Sequence, residues 1–259
     1  MFIPKIIVKK SDISHNVNFI TELLAPDNEN NTSLPFKDRV YGLLPELKGR
    51  ITDSMTKEQI YSEVENIVKE RLLANTKEID DRVKYLQKVF DKLSIPLLSS
   101  LLDIFNLQWD DSQSEIICYL GCYPVFPRDI VNKEFWINYN TIDERILKGA
   151  VHEIDHFMVY EKWKSMHTDS KDADHNYPNP LWFLEEIIVD PTLNESTITD
   201  LIPYKHRAYE QFYHETVADI TIIDKIKYLY NTKESIEGFL DNTYEFIKNN
   251  IKEITEKCG

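Results

Sequence analysis

The sequence has 259 residues, enough for one large domain or two closely packed subdomains with a sizeable core. Its formal charge of -14 argues against nucleic-acid binding, which needs a basic face to displace counterions. No apolar run approaches the length of a membrane span. The first ten residues do not have the pattern of a secretory signal, and the three cysteines make no paired framework. We therefore expect a cytoplasmic protein with reduced thiols that binds neither nucleic acid nor membrane, in an oligomeric state that the sequence leaves open.

The first part of the chain, residues 1–110, is expected to be a mainly helical scaffold. Thr56 and Gln59 occupy the positions of a capping box at the start of a helical apolar stripe. None of the predicted elements here contains a pattern of catalytic or metal-binding residues. They are a strand over 2–8, a polar loop over 27–33, and helices over 13–24, 56–72, 77–93 and 96–106.

The second part, residues 111–259, is expected to carry the function, either as a separate region or as part of one continuous domain. Residues 115–123 and 134–139 are rich in strand formers, with a proline-rich loop between them. The later predicted elements are a helix over 143–166, an acidic loop over 167–176, a helix over 180–189 that Pro191 ends, and helices over 207–230 and 233–257. The acidic loop is either a lid or, as we prefer, a solvated segment. The fold class predicted from this pattern is α+β and mostly helical.

The stretch 149–157 contains the pattern His-Glu-x-x-His, formed by His152, Glu153 and His156. Residues four apart share one face of a helix, so the two imidazoles can bind one ion together. Glu153 is rotated by about 100° from His152, so its carboxylate can reach a water on the ion without being a ligand. The pattern favours a catalytic zinc site with an open position over two surface histidines on an amphipathic helix.

The residues around this pattern favour a helix with one buried face. Asp143 is a candidate N-cap. Gly149 lies one turn before His152, where the lack of a side chain would let a substrate approach closely. The apolar stripe expected to face the core consists of Leu147, Val151, Ile154 and Met158.

Glu186 is the best candidate for a third ligand. It lies in an apolar helical segment, where an unpaired carboxylate would be costly. Asp190 is four residues further on and could accept a hydrogen bond from the second ring nitrogen of a ligand histidine. Adjacent residues point in different directions, so we expect Glu185 to be solvated and Glu186 to bind the metal.

His152-Glu153-x-x-His156 followed by Glu186-x-x-x-Asp190 resembles the gluzincin metalloproteases, the thermolysin-like group whose third ligand is a glutamate with an aspartate four residues on. The resemblance covers the two motif helices and the strands before them, and it extends to the clan, not to one family. It implies a zincin-like peptidase core, in which a small sheet and an active-site helix lie beneath a cleft.

The mechanism expected from these residues is hydrolysis of a peptide or protein substrate with Zn²⁺ as the cofactor. Glu153 would act as the general base and pass the proton to the leaving amine. Peptidases of the resembling group use a tyrosine or histidine from a downstream helix to stabilise the oxyanion. Tyr213 or His214 is our choice for that donor, and the same segment also offers His206 and Tyr209.

Two other functions compete with a peptidase. His152 to His156 is also similar to the motif of peptide deformylases, and Leu120-Gly121-Cys122 is similar to their cysteine-ligand segment, although the first motif of that family is missing. The second alternative is a non-catalytic protein with structural metal, in which His214 or Asp219 would be a fourth ligand. Its acidic helical surface would then bind a partner.

Overall fold

The computed structural model describes residues 2–25 and 34–258, so the loop predicted over 27–33 lies outside the described residues. The fold is α+β and mostly helical, as the sequence pattern predicts. The first elements are β1 (Lys5–Lys10), α1 (Ile13–Leu24), α2 (Leu34–Leu43), α3 (Lys57–Ala74) and α4 (Thr76–Ile104). They are followed by β2 (Glu115–Gly121), β3 (Arg128–Asp129), β4 (Glu134–Asn138), α5 (Asp143–Met166), α6 (Pro180–Leu193) and α7 (Ser196–Thr199). The last are α8 (Gln211–His214), β5 (Thr216–Val217), β6 (Ile220–Thr221), α9 (Ile222–Asn231), α10 (Ile236–Asn249) and α11 (Ile251–Cys258).

The main sheet has the strand order β1-β2-β4-β3. β2 pairs in parallel with β1 and β4, and its Cys118 lies opposite Val8 on one side and Phe135 on the other. β3 pairs antiparallel with β4 at one edge, within the segment that the sequence analysis assigned wholly to a loop. The strands predicted over 115–123 and 134–139 are confirmed with slightly shorter bounds. The first strand begins three residues later than predicted.

One hydrophobic cluster contains buried residues of the sheet and of the helices that precede and follow its strands in the sequence. α4 packs against β1, α1 packs against α3, and α6 packs against α5 and α10. β1 belongs to the predicted region 1–110, whereas its partner β2 belongs to the region 111–259, so the sheet takes strands from both. The division of the chain into these two regions stays a prediction. Within the described residues, no helix is both long and apolar enough to cross a membrane.

The capping box predicted for α3 is present, because Thr56 and Gln59 each bond the other's backbone N–H. The N-cap predicted for α5 is wrong. Ile142 holds that position with extended backbone angles, and Asp143 is the first helical residue. The carboxylate of Asp143 is engaged by the guanidinium of Arg82 and the hydroxyl of Tyr85, both from α4. The side chain of Asp143 therefore joins α5 to α4 and does not cap α5.

Two prolines lie inside helices that were predicted to end near them. The helices predicted over 77–93 and 96–106 are the single helix α4, with Pro96 in its interior. α6 likewise continues past Pro191 to Leu193. An interior proline costs about 3 kcal/mol or more, so burial must outweigh local preference at both places. In α4 the buried residues that follow the proline are Leu97, Leu98, Leu101 and Leu102.

The two long helices predicted at the C-terminal end are both interrupted. Residues 207–230 contain α8, the β5–β6 hairpin and α9, because Ala218 and Asp219 adopt positive φ angles of 52° and 62° and form the turn. Residues 233–257 contain α10 and α11, which separate at Asn250. The apolar spacing of both segments resembles that of a continuous helix. The turn between β5 and β6 contains no glycine that would indicate it in the sequence.

Asn16 gives a test of the contact between α1 and the end of β2. Its amide donates hydrogen bonds to the Ser11 hydroxyl and the Asp12 carbonyl, and its Oδ1 accepts from the backbone N–H of Cys122 at 2.6 Å. Asn16→Ala should lower the free energy of unfolding by about 1–3 kcal/mol, because it leaves a buried N–H unpaired. Asn18→Ala changes an exposed residue of the same helix and should have an effect of about 0.5 kcal/mol or less. Urea denaturation measures both, and equal effects would contradict this account.

Candidate metal centre

Three of the side chains predicted to bind metal lie together where α5 packs against α6. His152 and His156 come from α5 and Glu186 comes from α6. His152 Nε2 is 3.3 Å from Glu186 Oε2, and His156 Nε2 is 3.7 Å from Glu186 Oε1. One ligand-type atom from each of the three residues lies within 4.8 Å of the other two. We refer to these three residues as the metal group.

The burial of α5 explains the arrangement of the two imidazoles. Val151, Ile154 and Met158 of the predicted apolar stripe are fully buried, while Leu147 is half-buried. The rings of His152 and His156 lie on another face with their centroids 4.5 Å apart and their planes nearly perpendicular. The helix therefore presents both rings to α6.

The two histidines differ in their electrostatic surroundings. His156 is fully buried, and neither of its ring nitrogens has a hydrogen-bond partner. Burial and the positive charge of Arg128 hold the pKa of His156 well below its usual value, so the ring is neutral and can donate a lone pair. Burial also lowers the pKa of His152, but the hydrogen bond to Glu186 and the negative charges of Glu186 and Glu153 together outweigh it and raise that pKa. An unpaired buried imidazole is costly, and a metal ion on its Nε2 would give one of the two ring nitrogens a partner.

Arg128 is the residue of this site that sequence reasoning missed. It lies on the edge strand β3, and its guanidinium is 3.5 Å from Glu153, 3.3 Å from Glu185 and 3.3 Å from Glu186. Burial raises the pKa of Glu153, while the charge of Arg128 opposes that rise. One guanidinium among three carboxylates leaves an excess of negative charge, which favours a further cation beside Glu186. The donor set and the charge both fit a divalent metal ion.

The prediction that Glu185 is solvated is wrong. Its side chain is fully buried, with one carboxylate oxygen bonded to His175 Nδ1 and the other near Arg128. The prediction assumed that α6 has a polar face, but nearly every residue of this helix is buried. Adjacent glutamates can therefore both point into the protein. Arg128 and His175 provide the partners that a buried carboxylate needs.

The acidic segment 167–176 is mostly exposed, but it contains one ordered turn that is bonded to the site. Asp172–His175 form a 3-10 turn, and His175 at the end of that turn is buried against Glu185. Asp172 lies at the outer side of the turn, where its carboxylate accepts hydrogen bonds from the Tyr160 hydroxyl and the Lys164 ammonium. Both ends of the turn are thus fixed to helices of the site.

Asp190 does not bond a ligand histidine, so this predicted contact is wrong. Its carboxylate accepts a hydrogen bond from the Tyr213 hydroxyl and lies 2.9 Å from the ammonium of Lys227. Tyr213 also accepts from the backbone N–H of Ala208. His214 is exposed and pairs with Glu210. The structure therefore brings Asp190 and Tyr213 together one turn beyond Glu186, and it leaves His214 at the surface.

Tyr209 and His206 are the downstream residues whose electrostatics depend on the site. The negative charge of Glu186, followed by burial, raises the pKa of Tyr209 above its usual range. Burial and the positive charge of His152 lower the pKa of His206 to about 4. The Nε2 atom of His206 is buried without a hydrogen-bond partner, while the backbone of this residue is bonded on both sides to the Asn194 side chain. No sequence spacing distinguishes these two residues from Tyr213 and His214.

Gly149 has a different role from the predicted one. A Cβ atom built on it would lie 1.7 Å from the ring of Phe126, so the missing side chain makes room for that ring and not for a substrate. Gly149→Ala should therefore lower the free energy of unfolding by about 1–3 kcal/mol. Gly42→Ala, in α2, is the matched control, because a Cβ there meets nothing within 4 Å. It should be neutral or stabilising by up to about 1 kcal/mol. Urea midpoints that fall equally in both variants would contradict the packing argument.

No family model, curated protein or solved structure matches this chain. The site is defined by its own geometry. That geometry consists of the metal group, the adjacent Glu153 and the guanidinium of Arg128 between them.

Proposed function

We propose that the protein is a zinc-dependent metallopeptidase of the gluzincin type, in which α5 is the active-site helix of a zincin-like core. The observation that carries the proposal is the convergence of His152, His156 and Glu186 from two successive helices, with ligand-type atoms within 4.8 Å of one another. Glu153 adjoins this group on α5. The small sheet beside α5 is compatible with such a core.

The metal group would hold the ion through two imidazole nitrogens and one carboxylate, a donor set that zinc prefers. Zinc bound there supplies Lewis acidity, which polarises a carbonyl group and lowers the pKa of water to about 7. Structural zinc usually has four protein ligands, whereas the metal group found among the described residues has three members. Three protein ligands favour a catalytic site over a structural one.

Glu153 is the general base of the proposed reaction. Its side chain is buried, and its Oε2 has no hydrogen-bond partner, although Arg128 lies 3.5 Å away. This oxygen can take a proton from the attacking water and pass it to the leaving amine. Arg128 contacts both Glu153 and Glu186, so it holds the base and the metal ligand at a fixed separation.

Tyr209 is our candidate for the donor that stabilises the oxyanion, with His206 beside it. The Tyr209 ring is 47% exposed and packs against Trp182 of α6 with centroids 5.8 Å apart, and the charge of Glu186 on the same helix raises the pKa of Tyr209. Tyr213 is less suitable, because its hydroxyl already donates to Asp190. His214 is less suitable because its ring is already paired with Glu210.

The other two functions have less support. A deformylase would need Cys122 as a metal ligand, but this thiol is not in the metal group, and burial raises its pKa to about 12. A structural metal site would need His214 or Asp219 as a fourth ligand. Both are exposed, and neither belongs to the metal group.

Glu186→Gln tests the third ligand. Replacing the charged carboxylate by an amide should weaken zinc binding by about 100-fold or more, since removal of even an outer partner of a ligand costs about 10- to 100-fold. Glu144→Gln, on an exposed residue of α5, should leave zinc binding unchanged. Equilibrium dialysis with zinc analysis measures both. Unchanged zinc binding in Glu186→Gln would move the third ligand elsewhere.

Glu153→Gln separates metal binding from catalysis. The variant should keep about one zinc per chain, because the residue is not a ligand, and should lose about 10²- to 10⁴-fold in the rate of peptide hydrolysis. A library of fluorescence-quenched peptides measures the rate. Wild-type protein treated with a chelator and then with zinc is the control, in which activity should disappear and return. Full activity in the variant, or loss of its zinc, would contradict the assigned role.

A further inference from the structure

A cleft of about 660 Å³ lies between the edge strand β3 and the segment that precedes α6. Arg128, which contacts Glu153 and Glu186, is among its lining residues. So is His175, which pairs with Glu185. The volume is in the range typical of sites for small molecules and side chains. A group bound in this cleft would therefore be separated from the proposed reaction centre by one residue, Arg128.

Aromatic side chains form much of the lining of the cleft. On one side, Trp136 of β4 stacks on His15 of α1, with centroids 4.3 Å apart and planes 7° from parallel. His15 is in turn bonded to the hydroxyl of Tyr123. On the other side, Tyr177 and Trp182 meet edge to face with centroids 5.1 Å apart. Their mutual contacts order these rings in advance, which lowers the entropy cost of binding a further ring.

The charged groups of the cleft already have partners. Arg128 is surrounded by three carboxylates, so it has little capacity for an anionic substrate. Asp129 accepts hydrogen bonds from the backbone N–H groups of Val131 and Asn132. Asp172 is bonded to a tyrosine hydroxyl and the ammonium of Lys164. The hydrogen-bonding capacity of these three residues is therefore largely used within the protein.

We propose that this cleft binds a bulky, uncharged aromatic side chain of a peptide substrate, adjacent to the bond that is cleaved. This inference rests on the proposed peptidase function and names the substrate class for the same site. The aromatic rings of the lining supply apolar contact area, and the charged groups of the lining are already engaged within the protein. Arg128 joins the cleft to the base and to the metal group, so the bound side chain fixes the position of the adjacent peptide bond.

Binding of blocked hexapeptides to the zinc-loaded Glu153→Gln variant tests the inference without requiring turnover. The peptides have alanine at all positions except one central position, which is Phe, Ala, Lys or Glu. The Phe peptide should bind at least 10-fold more tightly than the other three by isothermal titration calorimetry. Equal affinities, or a preference for Lys or Glu, would overturn the proposal.

Val131→Asp tests the location, because Val131 lines the cleft and is 40% exposed. Added to the Glu153→Gln protein, it should weaken binding of the Phe peptide at least 5-fold and leave zinc content unchanged. Ile95→Asp is the control, since Ile95 is 64% exposed on α4 and does not line the cleft. It should leave peptide binding unchanged, and equal effects of the two substitutions would overturn the location.

The results also distinguish the two proposals. If the wild-type protein hydrolyses all four peptides at equal rates and the Glu153→Gln variant binds them equally, the peptidase function stands and the aromatic cleft is wrong. If the Phe peptide binds selectively but no peptide is hydrolysed, the cleft stands and the peptidase function is wrong.

Discussion

The ionic contacts of Arg128 are the interaction on which the rest of the site depends. Its guanidinium lies within 3.5 Å of Glu153, Glu185 and Glu186, and all three carboxylates are buried. Buried carboxylates are costly unless cations and hydrogen-bond donors accompany them. Two packed helices supply the carboxylates, and the edge strand β3 supplies the cation. Removal of the guanidinium alone would leave three negative groups facing one another, so the position of β3 against α5 and α6 is strongly constrained.

The same contacts extend from the metal group to the wall of the cleft. Glu185 bonds both Arg128 and His175, and His175 ends the 3-10 turn beside the cleft. At the other end of that turn, Asp172 is bonded to two side chains of α5. The turn is therefore attached to α6 through the buried pair His175–Glu185 and to α5 through the hydrogen bonds of Asp172. A substrate side chain in the cleft would be held by the same elements that hold the general base, which is the geometric requirement for positioning a peptide bond.

The parts of this site that could be predicted from the sequence are those determined by local spacing. His152 and His156 share a helix face because they are four residues apart, and Thr56 caps α3 together with Gln59, three residues further on. Arg128 could not be predicted, because its partners are distant in the sequence and no pattern marks a lone arginine after two prolines. Glu185 was misassigned because periodicity assumes a solvated face. Other elements cover α6 on all sides, and only the tertiary structure contains that information.

The charge balance of the site connects metal binding with folding. Glu186 contacts two histidines and Arg128, yet the arginine is shared with two other carboxylates. A divalent ion in the metal group would offset the remaining negative charge and would also give His156 the partner that its buried Nε2 lacks. These two gains exist only when α5 and α6 are packed together, because the ligands come from both helices. An ion that binds only the packed arrangement stabilises it by mass action. The buried carboxylate of Glu186 would therefore depend for part of its stability on the ion that it is proposed to hold.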